Sequence, residues 1–488
     1  MNAPWDLLVV GGGTAGIVSA KTAASFGARV LLVERERTGG DCLWTGCVPS
    51  KALLASASVA AQARNGARLG INVDGVSVDF ARVMEHVHAA IRTIEPVDSP
   101  AALEAAGVQV ETGDLSFTGP NSAIVDGRPV EFAQAIVCTG SSPVVPPIPG
   151  LDGAEPLTSD SVWDLDVLPG RLAVLGGGSI GCELGQAFAR LGAEVTIVEG
   201  TERILSREDP EAAKLVAASL ERDGVTLITG APVVEVKSVA DSGVLVLGDG
   251  NRVEFDRLLV SVGRRPGTRG LGLDRAGVEL DERGYVRVDS RLRTTNPDIW
   301  AAGDVTGHAQ FTHTAGVNGS LAASNAVLGL RRGVDTTTVP RVTFTDPEVA
   351  AVGVGTETAA TDPDLHVVVR DHAHLDRAVA ESDVHGFTKL VVDAKGRILG
   401  ATLVGPRAGE TLGELSVAVR HGMRTRDLAG TTHAYPTYND GAWNASVDDI
   451  QARLRRPAMA RTISVLSTGR RRWVRSSVRR RLVQARSR

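Results

Sequence analysis

Two segments that lie 165 residues apart in the chain have the same form. Each is a short apolar run, a G-x-G-x-x-G turn, a stretch rich in small residues and a second apolar run that ends in an acid. The motif glycines are Gly11, Gly13 and Gly16 in the first segment and Gly176, Gly178 and Gly181 in the second. The acids, Glu34 and Glu199, each lie 23 residues beyond the first glycine. One such turn is a weak signal, but two complete copies predict two Rossmann-like units in an α/β chain.

The glycines and the acid have separate roles in such a unit. A turn without side chains lets backbone N–H groups approach a pyrophosphate at the positive end of a helix, and the acid accepts hydrogen bonds from a ribose. Two units therefore imply two bound dinucleotides, which is what a hydride-transfer enzyme with a donor and an acceptor requires.

The rest of the chain shows a second repeat and then a change in the amino-acid pattern. Residues 132–143 and 255–266 each combine an apolar strand with a glycine-bearing turn before proline, and we expect them to close the two units. Beyond Pro340, β-branched strands surround one helix near residues 412–421. This pattern predicts an α+β C-terminal domain.

Charge divides the 488 residues unevenly. The last 38 residues hold 13 arginines and no acid, so residues 1–450 carry a net charge of −18 and residues 451–488 carry +13. Four cysteines exclude a disulfide-stapled secreted scaffold and favour a reducing cytosol. No apolar run reaches 18 residues and no signal peptide is visible, so we expect a cytoplasmic protein.

Two of the cysteines, Cys42 and Cys47, stand in the segment G-G-D-C-L-W-T-G-C-V-P-S-K at residues 39–51. The pair alone is also compatible with half a metal site. The other two, Cys138 and Cys182, lie in a strand and beside a nucleotide turn, where small buried residues are expected. We therefore predict no metal site.

This segment resembles the redox-active disulfide motif of the class I pyridine nucleotide-disulfide oxidoreductases, which include dihydrolipoamide dehydrogenase, glutathione reductase and mercuric reductase. The resemblance extends to about residue 450, and the mercuric reductase-like branch is the most similar. It implies a discontinuous FAD-binding domain at 1–150 and 273–338, an NAD(P)-binding domain at 151–272, and a dimerisation domain at 339–450 that forms a homodimer. The basic tail, 451–488, lies outside it.

The resemblance also implies the residues of each site. Those expected to bind FAD are Gly11, Gly13, Gly16, Glu34, Gly40, Asp41, Thr139, Gly140 and Asp304. Those expected to bind the nicotinamide cofactor are Gly176, Gly178, Gly181, Glu199 and Gly263. Lys51 is expected beside the flavin, paired with Glu183.

Cofactor preference has a physical argument of its own. A carboxylate at the strand end accepts from a free ribose 2′-OH and repels a 2′-phosphate, so Glu199 favours NADH. Arg203, four residues further on, could weaken this preference and leaves NADPH as an alternative.

The resemblance implies a three-step cycle. NADH passes hydride to the flavin, reduced flavin opens the Cys42–Cys47 disulfide, and Cys42 exchanges with a small-molecule or protein disulfide. Cys47 is then the thiolate in contact with the flavin, with its pKa lowered by positive surroundings.

The distal part of the site departs from the family. The usual motif is H-x-H-P-T-x-x-E, supplied by the partner subunit, whereas this chain reads H-A-Y-P-T-Y-N-D at residues 433–440. Tyr435 replaces the acid/base histidine, and Asp440 replaces the glutamate. A phenol with a pKa of about 10 is roughly 0.1% ionised at neutral pH and is a poor base. Either His433 serves as the acid/base instead, or proton transfer is slower, or the acceptor needs no such base.

Two other interpretations remain open. In the first, the protein reduces quinones or metal ions like a diaphorase or a mercuric reductase, and the cysteine pair is of secondary importance for activity. Mercury ranks below a disulfide, because no CxxC domain precedes Trp5 and no cysteine follows Cys182. A flavoprotein without turnover, acting through its tail, is the non-enzymatic alternative.

The tail itself interleaves apolar and basic residues. Trp473, Val474, Val478 and Leu482 recur among arginines 470–472, 475 and 479–481. This predicts an amphipathic helix on an anionic membrane surface, at the inner face of the membrane, against the alternative of a solvated tail. Nucleic-acid binding is the least favoured of the three interpretations.

Overall fold

The computed structural model describes residues 3–239, 242–476 and 479. They belong to two compact units, residues 1–346 and residues 347–488. The strands of the first unit are β1 Trp5–Val10, β2 Val30–Glu34, β3 Val108–Thr112, β4 Leu115–Gly119, β5 Ser122–Val125, β6 Arg128–Val137, β7 Ser141–Pro143, β8 Arg171–Leu175, β9 Glu194–Val198, β10 Thr226–Ile228, β11 Val233–Val239, β12 Ser242–Leu247, β13 Arg252–Phe255, β14 Arg257–Val260, β15 Arg264–Pro266, β16 Ile299–Ala301 and β17 Arg341–Thr343. Its helices are α1 Thr14–Ser25, α2 Gly40–Trp44, α3 Cys47–Arg64, α4 Phe80–Asp98, α5 Pro100–Ala105, α6 Ser179–Leu191, α7 Pro210–Arg222 and α8 Thr312–Leu328.

The first sheet has the strand order β3-β2-β1-β6-β5-β4, and β16 also pairs with β6. Strands β1, β2, β3, β6 and β16 run parallel, whereas β4 and β5 pair antiparallel. Leu7 and Val9 face a core shared with α1 and α8, and Leu8 and Val10 face a second core that contains Phe117. Burial on both faces explains the continuous apolar run at residues 7–10.

The second sheet repeats this plan. Its order is β10-β9-β8-β14, all parallel, with α6 following β8 as α1 follows β1. The antiparallel sheet β11-β12-β13 packs against it through Val236, Leu245 and Phe255. The second glycine turn therefore stands at the carboxyl end of a parallel sheet, where doubly wound folds bind nucleotides.

The second unit is an α+β arrangement. Its strands are β18 Glu348–Gly353, β19 Leu365–Asp371, β20 Phe387–Asp393 and β21 Ile398–Gly405. Its helices are α9 Thr356–Thr361, α10 Asp376–Ala380, α11 Ala408–Arg420, α12 Thr425–Ala429, α13 Asp440–Leu454 and α14 Pro457–Arg475. The strands pair antiparallel in the order β18-β21-β20-β19, with α11 packed on β18 and β21, and α13 on β19 and β20.

The predicted fold class is confirmed: two Rossmann-like parts are followed by an α+β part. In the ranges that the structure covers, no helix combines the length and the hydropathy needed to cross a membrane. Of the residues that predicted the tail helix, Val478, Leu482, Arg480 and Arg481 lie outside the described residues.

Candidate active site

The two glycine turns are built alike. A Cβ on Gly16 would lie 1.8 Å from the Gly11 carbonyl oxygen, and a Cβ on Gly181 would lie 2.0 Å from the Gly176 carbonyl oxygen. A side chain therefore fits at neither position. Helices α1 and α6 begin without a side-chain cap, so their first N–H groups remain available for a pyrophosphate. The turns fit the dinucleotides that their sequence predicts.

The strand-end acids also take the same position in both copies. Glu34 Oε2 accepts from Gly12 N at 2.6 Å, and Glu199 Oε2 accepts from Gly177 N at 2.7 Å. Each carboxylate is thereby held against the residue that follows the first motif glycine, Gly12 or Gly177. A carboxylate has about four lone-pair sites, so both can still accept from a ribose hydroxyl.

Arg203, which the sequence placed near the second acid, is tied into its own loop. Its Nη2 donates to the carbonyl oxygens of Ser206 at 2.9 Å and Glu208 at 3.3 Å. The guanidinium is thus engaged with backbone acceptors, whereas Glu199 stands at the turn.

Three predicted flavin residues, Thr139, Gly140 and Asp304, come together beyond the carboxyl end of β6. The Oγ1 of Thr139 is buried and has no hydrogen-bond partner among the described residues. Asp304 Oδ2 accepts from Ser141 Oγ at 2.6 Å, which fixes the acid at this edge of the sheet. A buried hydroxyl without a protein partner is costly. This hydroxyl therefore fits a ligand that supplies polar atoms, as FAD does.

A pair of glycines fastens the cysteine segment to the first nucleotide turn. Gly39 N donates to Gly12 O at 2.9 Å, and a Cβ on Gly40 would lie 2.6 Å from Gly13 Cα. Gly39 and Gly40 have φ of +108° and +57°, which glycine adopts at little cost. Because α2 starts at Gly40, this close approach sets where the cysteine-bearing helix begins.

Cys47 is the more acidic of the two candidate redox thiols. It opens α3, and its Sγ lies 3.2 Å from Thr312 Oγ1. The pKa of Cys47 is lowered to about 6, chiefly by a hydrogen bond from Cys42, then by Thr312 and the charge of Lys51. The pKa of Cys42 is raised, mainly because its proton is shared with Cys47. The reduced pair is therefore a Cys42 thiol that donates to a Cys47 thiolate.

Thr312 did not emerge from the sequence. It is the first residue of α8, eight positions after Asp304, and it belongs to none of the motifs. The fold brings it to Cys47 across 265 residues.

Lys51 and Glu183 meet as the resemblance implied. Lys51 Nζ lies 2.9 Å from Glu183 Oε2 and 4.1 Å from the centre of the Phe344 ring. Glu183 is buried in α6, and its Oε1 accepts from Phe344 N at 3.0 Å. The helix after the second glycine turn thus supplies the carboxylate that holds a cation on the cysteine helix.

Asp41, beside Cys42, is bound by a residue that the sequence did not single out. Its Oδ2 accepts from Arg264 Nη2, and Arg264 Nε donates to Ser141 Oγ at 2.7 Å. Partial burial raises the pKa of the Asp41 carboxyl to about 6, against the charge of Arg264. Gly263, with φ of +139°, precedes this arginine in the turn before β15. Asp41 is therefore engaged within the protein, and Arg264 links it to the Ser141–Asp304 pair.

In the second unit, His433 has acceptors at both ring nitrogens. Its Nε2 lies 2.8 Å from Glu414 Oε1, and its Nδ1 lies 3.0 Å from the Thr431 carbonyl oxygen. The side chain is only 10% exposed. Both ring nitrogens therefore lie beside protein oxygens, which fixes the orientation of the imidazole.

Tyr435 has a different setting. It is 70% exposed, and its hydroxyl donates to Asp376 Oδ2, which raises the pKa of the phenol. Asp440 is buried, and its Oδ2 accepts from Thr437 N at 3.1 Å. The acid that contacts Tyr435 is thus Asp376, which no sequence motif indicated.

The remaining cysteines are buried as expected: Cys138 directly after β6 and Cys182 within α6. Burial raises the pKa of the Cys138 thiol to about 12. Both are unreactive packing residues in this environment.

Comparisons with known proteins agree with this geometry. The family model for pyridine nucleotide-disulphide oxidoreductases matches residues 5–319, and the model for the dimerisation domain of the same family matches residues 339–446. A mercuric reductase of Bacillus cereus is 36% identical over 446 residues, which cover 90% of this chain and 70% of the relative. A dihydrolipoyl dehydrogenase of Chlamydia trachomatis is 35% identical and covers 90% of this chain and 95% of the relative.

Solved structures are similar over the same range. LpdA from Mycobacterium tuberculosis superposes with a TM-score of 0.83 at 30% identity, covering 91% of this chain and 99% of that one. The Cu(II) complex of the HOCl-induced flavoprotein disulfide reductase RclA from Escherichia coli gives 0.83 at 29% identity, covering 92% and 99%. The family uses FAD and NAD(P)H. The chain belongs to the pyridine nucleotide-disulphide oxidoreductase family and carries the dimerisation domain of that family.

Proposed function

We propose that this flavoprotein takes electrons from NADH and passes them through FAD and the Cys42–Cys47 pair to a small-molecule or protein disulfide. The observation that carries the proposal is the state of the pair: Cys47 has its pKa lowered to about 6, and Cys42 keeps its proton. With its pKa lowered to about 6, Cys47 is ionised at neutral pH and is the thiolate of the pair. Cys42, which keeps its proton, is in our proposal the thiol that exchanges with the substrate.

The first unit supplies the flavin site in this proposal. We assign residues 1–150 and 273–338 to one FAD-binding domain, and the pairing of β16 from the later segment with β6 from the earlier one supports this assignment. The glycine turn and Glu34 hold the ADP half, and Thr139, Gly140 and Asp304 hold the remainder. When bound, FAD supplies a two-electron relay between the nicotinamide and the thiols. Lys51, fixed by Glu183, contributes the positive charge that stabilises the Cys47 thiolate.

Residues 151–272 form the nicotinamide-binding domain in the same proposal, and NADH is the preferred donor. Glu199 stands at the strand end, where a 2′-phosphate would meet its negative charge. A 2′-phosphate would need a cation nearby. Arg203 already donates to carbonyl groups of its own loop, so its guanidinium is engaged there and does not favour NADPH.

A homodimer built through residues 339–450 would bring the distal residues of one chain to the cysteines of the other. Tyr435 then turns its single O–H donor from Asp376 to the departing thiolate, which the exposure of the hydroxyl allows. His433, held by Glu414, positions the segment that carries Tyr435. Proton delivery to the acceptor is correspondingly slow in comparison with an imidazole acid/base.

We also place the enzyme in a reducing cytosol. Four cysteines in 488 residues do not make a disulfide-stapled scaffold, and the redox role of Cys42 and Cys47 requires partners that keep the pair cycling.

Anaerobic titration with NADH followed by a stopped-flow screen of acceptors tests the proposal. The flavin-loaded enzyme should develop long-wavelength charge-transfer absorbance, and Cys47→Ser should abolish it. Lipoamide or glutathione-type disulfides should reoxidise the unaltered enzyme but not Cys42→Ser. The proposal would be contradicted if neither the unaltered enzyme nor Cys42→Ser reduced a disulfide and Cys42→Ser still turned over quinones or Hg(II).

A further inference from the structure

Helix α14, Pro457–Arg475, is exposed along its whole length. None of its side chains is buried. It lies beyond the end of the dimerisation-domain match at residue 446 and has no assigned task in the electron path. Its sequence contains no acid and five arginines, at positions 461, 470, 471, 472 and 475.

The apolar residues of this helix form one stripe. Met459, Ile463, Leu466 and Trp473 follow one another at intervals of four, three and seven residues, which places them on one face at 3.6 residues per turn. All four are at least 40% exposed, and Leu466 is 67% exposed. The guanidinium of Arg470 stands 4.3 Å over the Trp473 ring, so the stripe ends in a stacked cation and indole.

The opposite face is polar. Ser464 and Thr468 lie there with Arg461, Arg471 and Arg475, since 3.6 residues per turn place these positions across from the stripe. The helix therefore has an apolar side and a side that carries four of its five arginines, whereas Arg470 lies on the apolar side against Trp473.

We propose that α14 lies in the plane of an anionic lipid surface. The apolar stripe enters the boundary between headgroups and acyl chains, and the arginines contact the headgroup phosphates. Charge complementarity supports this occupant, because residues 1–450 carry a net charge of −18 and attraction to an anionic surface is confined to the tail. A second copy of the helix is a poor alternative partner, since it would bring five arginines against five with no acid between them. Nucleic acid would use the arginines and leave the stripe in water.

The test uses the full-length, flavin-loaded enzyme and two variants matched in charge. Leu466→Glu places a carboxylate in the stripe, and Thr468→Glu places the same carboxylate on the polar face two residues away. Flotation with phosphatidylcholine vesicles, with and without phosphatidylglycerol, should show binding only to the anionic vesicles. Leu466→Glu should weaken it well over tenfold, because a large apolar side chain leaves the lipid as a charge is added, whereas Thr468→Glu adds only the charge and should weaken it by about fivefold at most.

A second readout and two contrary outcomes complete the test. Binding should shift the Trp473 emission to shorter wavelength, measured as the difference between the unaltered enzyme and Trp473→Phe. NADH oxidation by both glutamate variants should equal that of the unaltered enzyme, which separates a loss of lipid binding from a loss of the proposed catalysis. Equal losses in the two variants would overturn the proposal, as would DNA binding that outcompetes vesicles and is unchanged by Leu466→Glu.

Discussion

Lys51 Nζ and Glu183 Oε2 lie 2.9 Å apart, although 132 residues separate them in the chain. The lysine stands one turn after Cys47 on α3, and the glutamate stands on the helix that follows the second glycine turn. This ion pair joins the two Rossmann-like parts of the first unit at the cysteines. The helix that follows the second glycine turn therefore carries the acid that holds a positive charge near the Cys47 thiol.

The first prediction concerns pH. A thiolate exists above its pKa and is lost below it, so charge-transfer absorbance of the two-electron-reduced enzyme should fall as pH drops through about 6. Absorbance titration under anaerobic conditions measures the midpoint. A midpoint near the ordinary thiol pKa of about 8.5 would contradict the hydrogen-bonded arrangement of Cys42 and Cys47.

Changes to the ion pair should move this midpoint in opposite directions. Lys51→Met removes the positive charge that lowers the Cys47 pKa, so the midpoint should rise. Glu183→Gln removes a negative charge that raises it, so the midpoint should fall. The same titration compares the two proteins, and shifts of equal sign would show that packing around Phe344, and not charge, dominates.

Thr312 should act through its hydroxyl. Thr312→Val removes the hydrogen bond to Cys47, and the charge-transfer midpoint should rise by about one pH unit, as the loss of a hydrogen bond to a charged group implies. Thr312→Ser keeps the hydroxyl and should behave like the unaltered enzyme. An equal shift in the two variants would contradict the role of the hydroxyl, because Thr312→Ser keeps it.

The distal residues should separate into a chemical and a structural role. Tyr435→Phe should slow reduction of a disulfide and leave flavin reduction by NADH unchanged, because in our proposal the exposed hydroxyl acts on the substrate and not on the flavin. It should leave the free energy of unfolding almost unchanged, as expected at an exposed site. His433→Gln removes a side chain held by Glu414 and should lower stability by about 1–3 kcal/mol. Thermal unfolding and pH–rate profiles distinguish them, and unchanged profiles for both would remove the pair from the mechanism.

Glu199 should set the choice of nicotinamide cofactor. Glu199→Gln removes the charge that opposes a 2′-phosphate, so the ratio of kcat/KM for NADH to that for NADPH should fall about tenfold. Glu34→Gln makes the same change in the other turn and should weaken FAD retention without changing this ratio. Equal use of both cofactors by the unaltered enzyme would defeat the assignment.

The basic tail illustrates what a sequence pattern alone can predict about a helix. Interleaved arginines and apolar residues from 470 onward predicted an amphipathic helix, and a helix is present, but it begins at Pro457. The stripe starts with Met459 and Ile463, earlier than the residues that suggested it. The arginine-rich segment shows the period, whereas the helix starts earlier, with Pro457 in its first turn.

The amino-acid sequence by itself determined both nucleotide turns, the cysteine segment and the fold class, because these depend on contacts within one strand–turn–helix unit or on short motifs. Only the tertiary structure decided which distant side chains complete them. Thr312 reaches Cys47, Arg264 reaches Asp41, Glu414 reaches His433 and Asp376 reaches Tyr435. A lone threonine or carboxylate carries no local signature, and its role is set by the packing of whole sheets and helices, which brings residues far apart in the chain within hydrogen-bond distance.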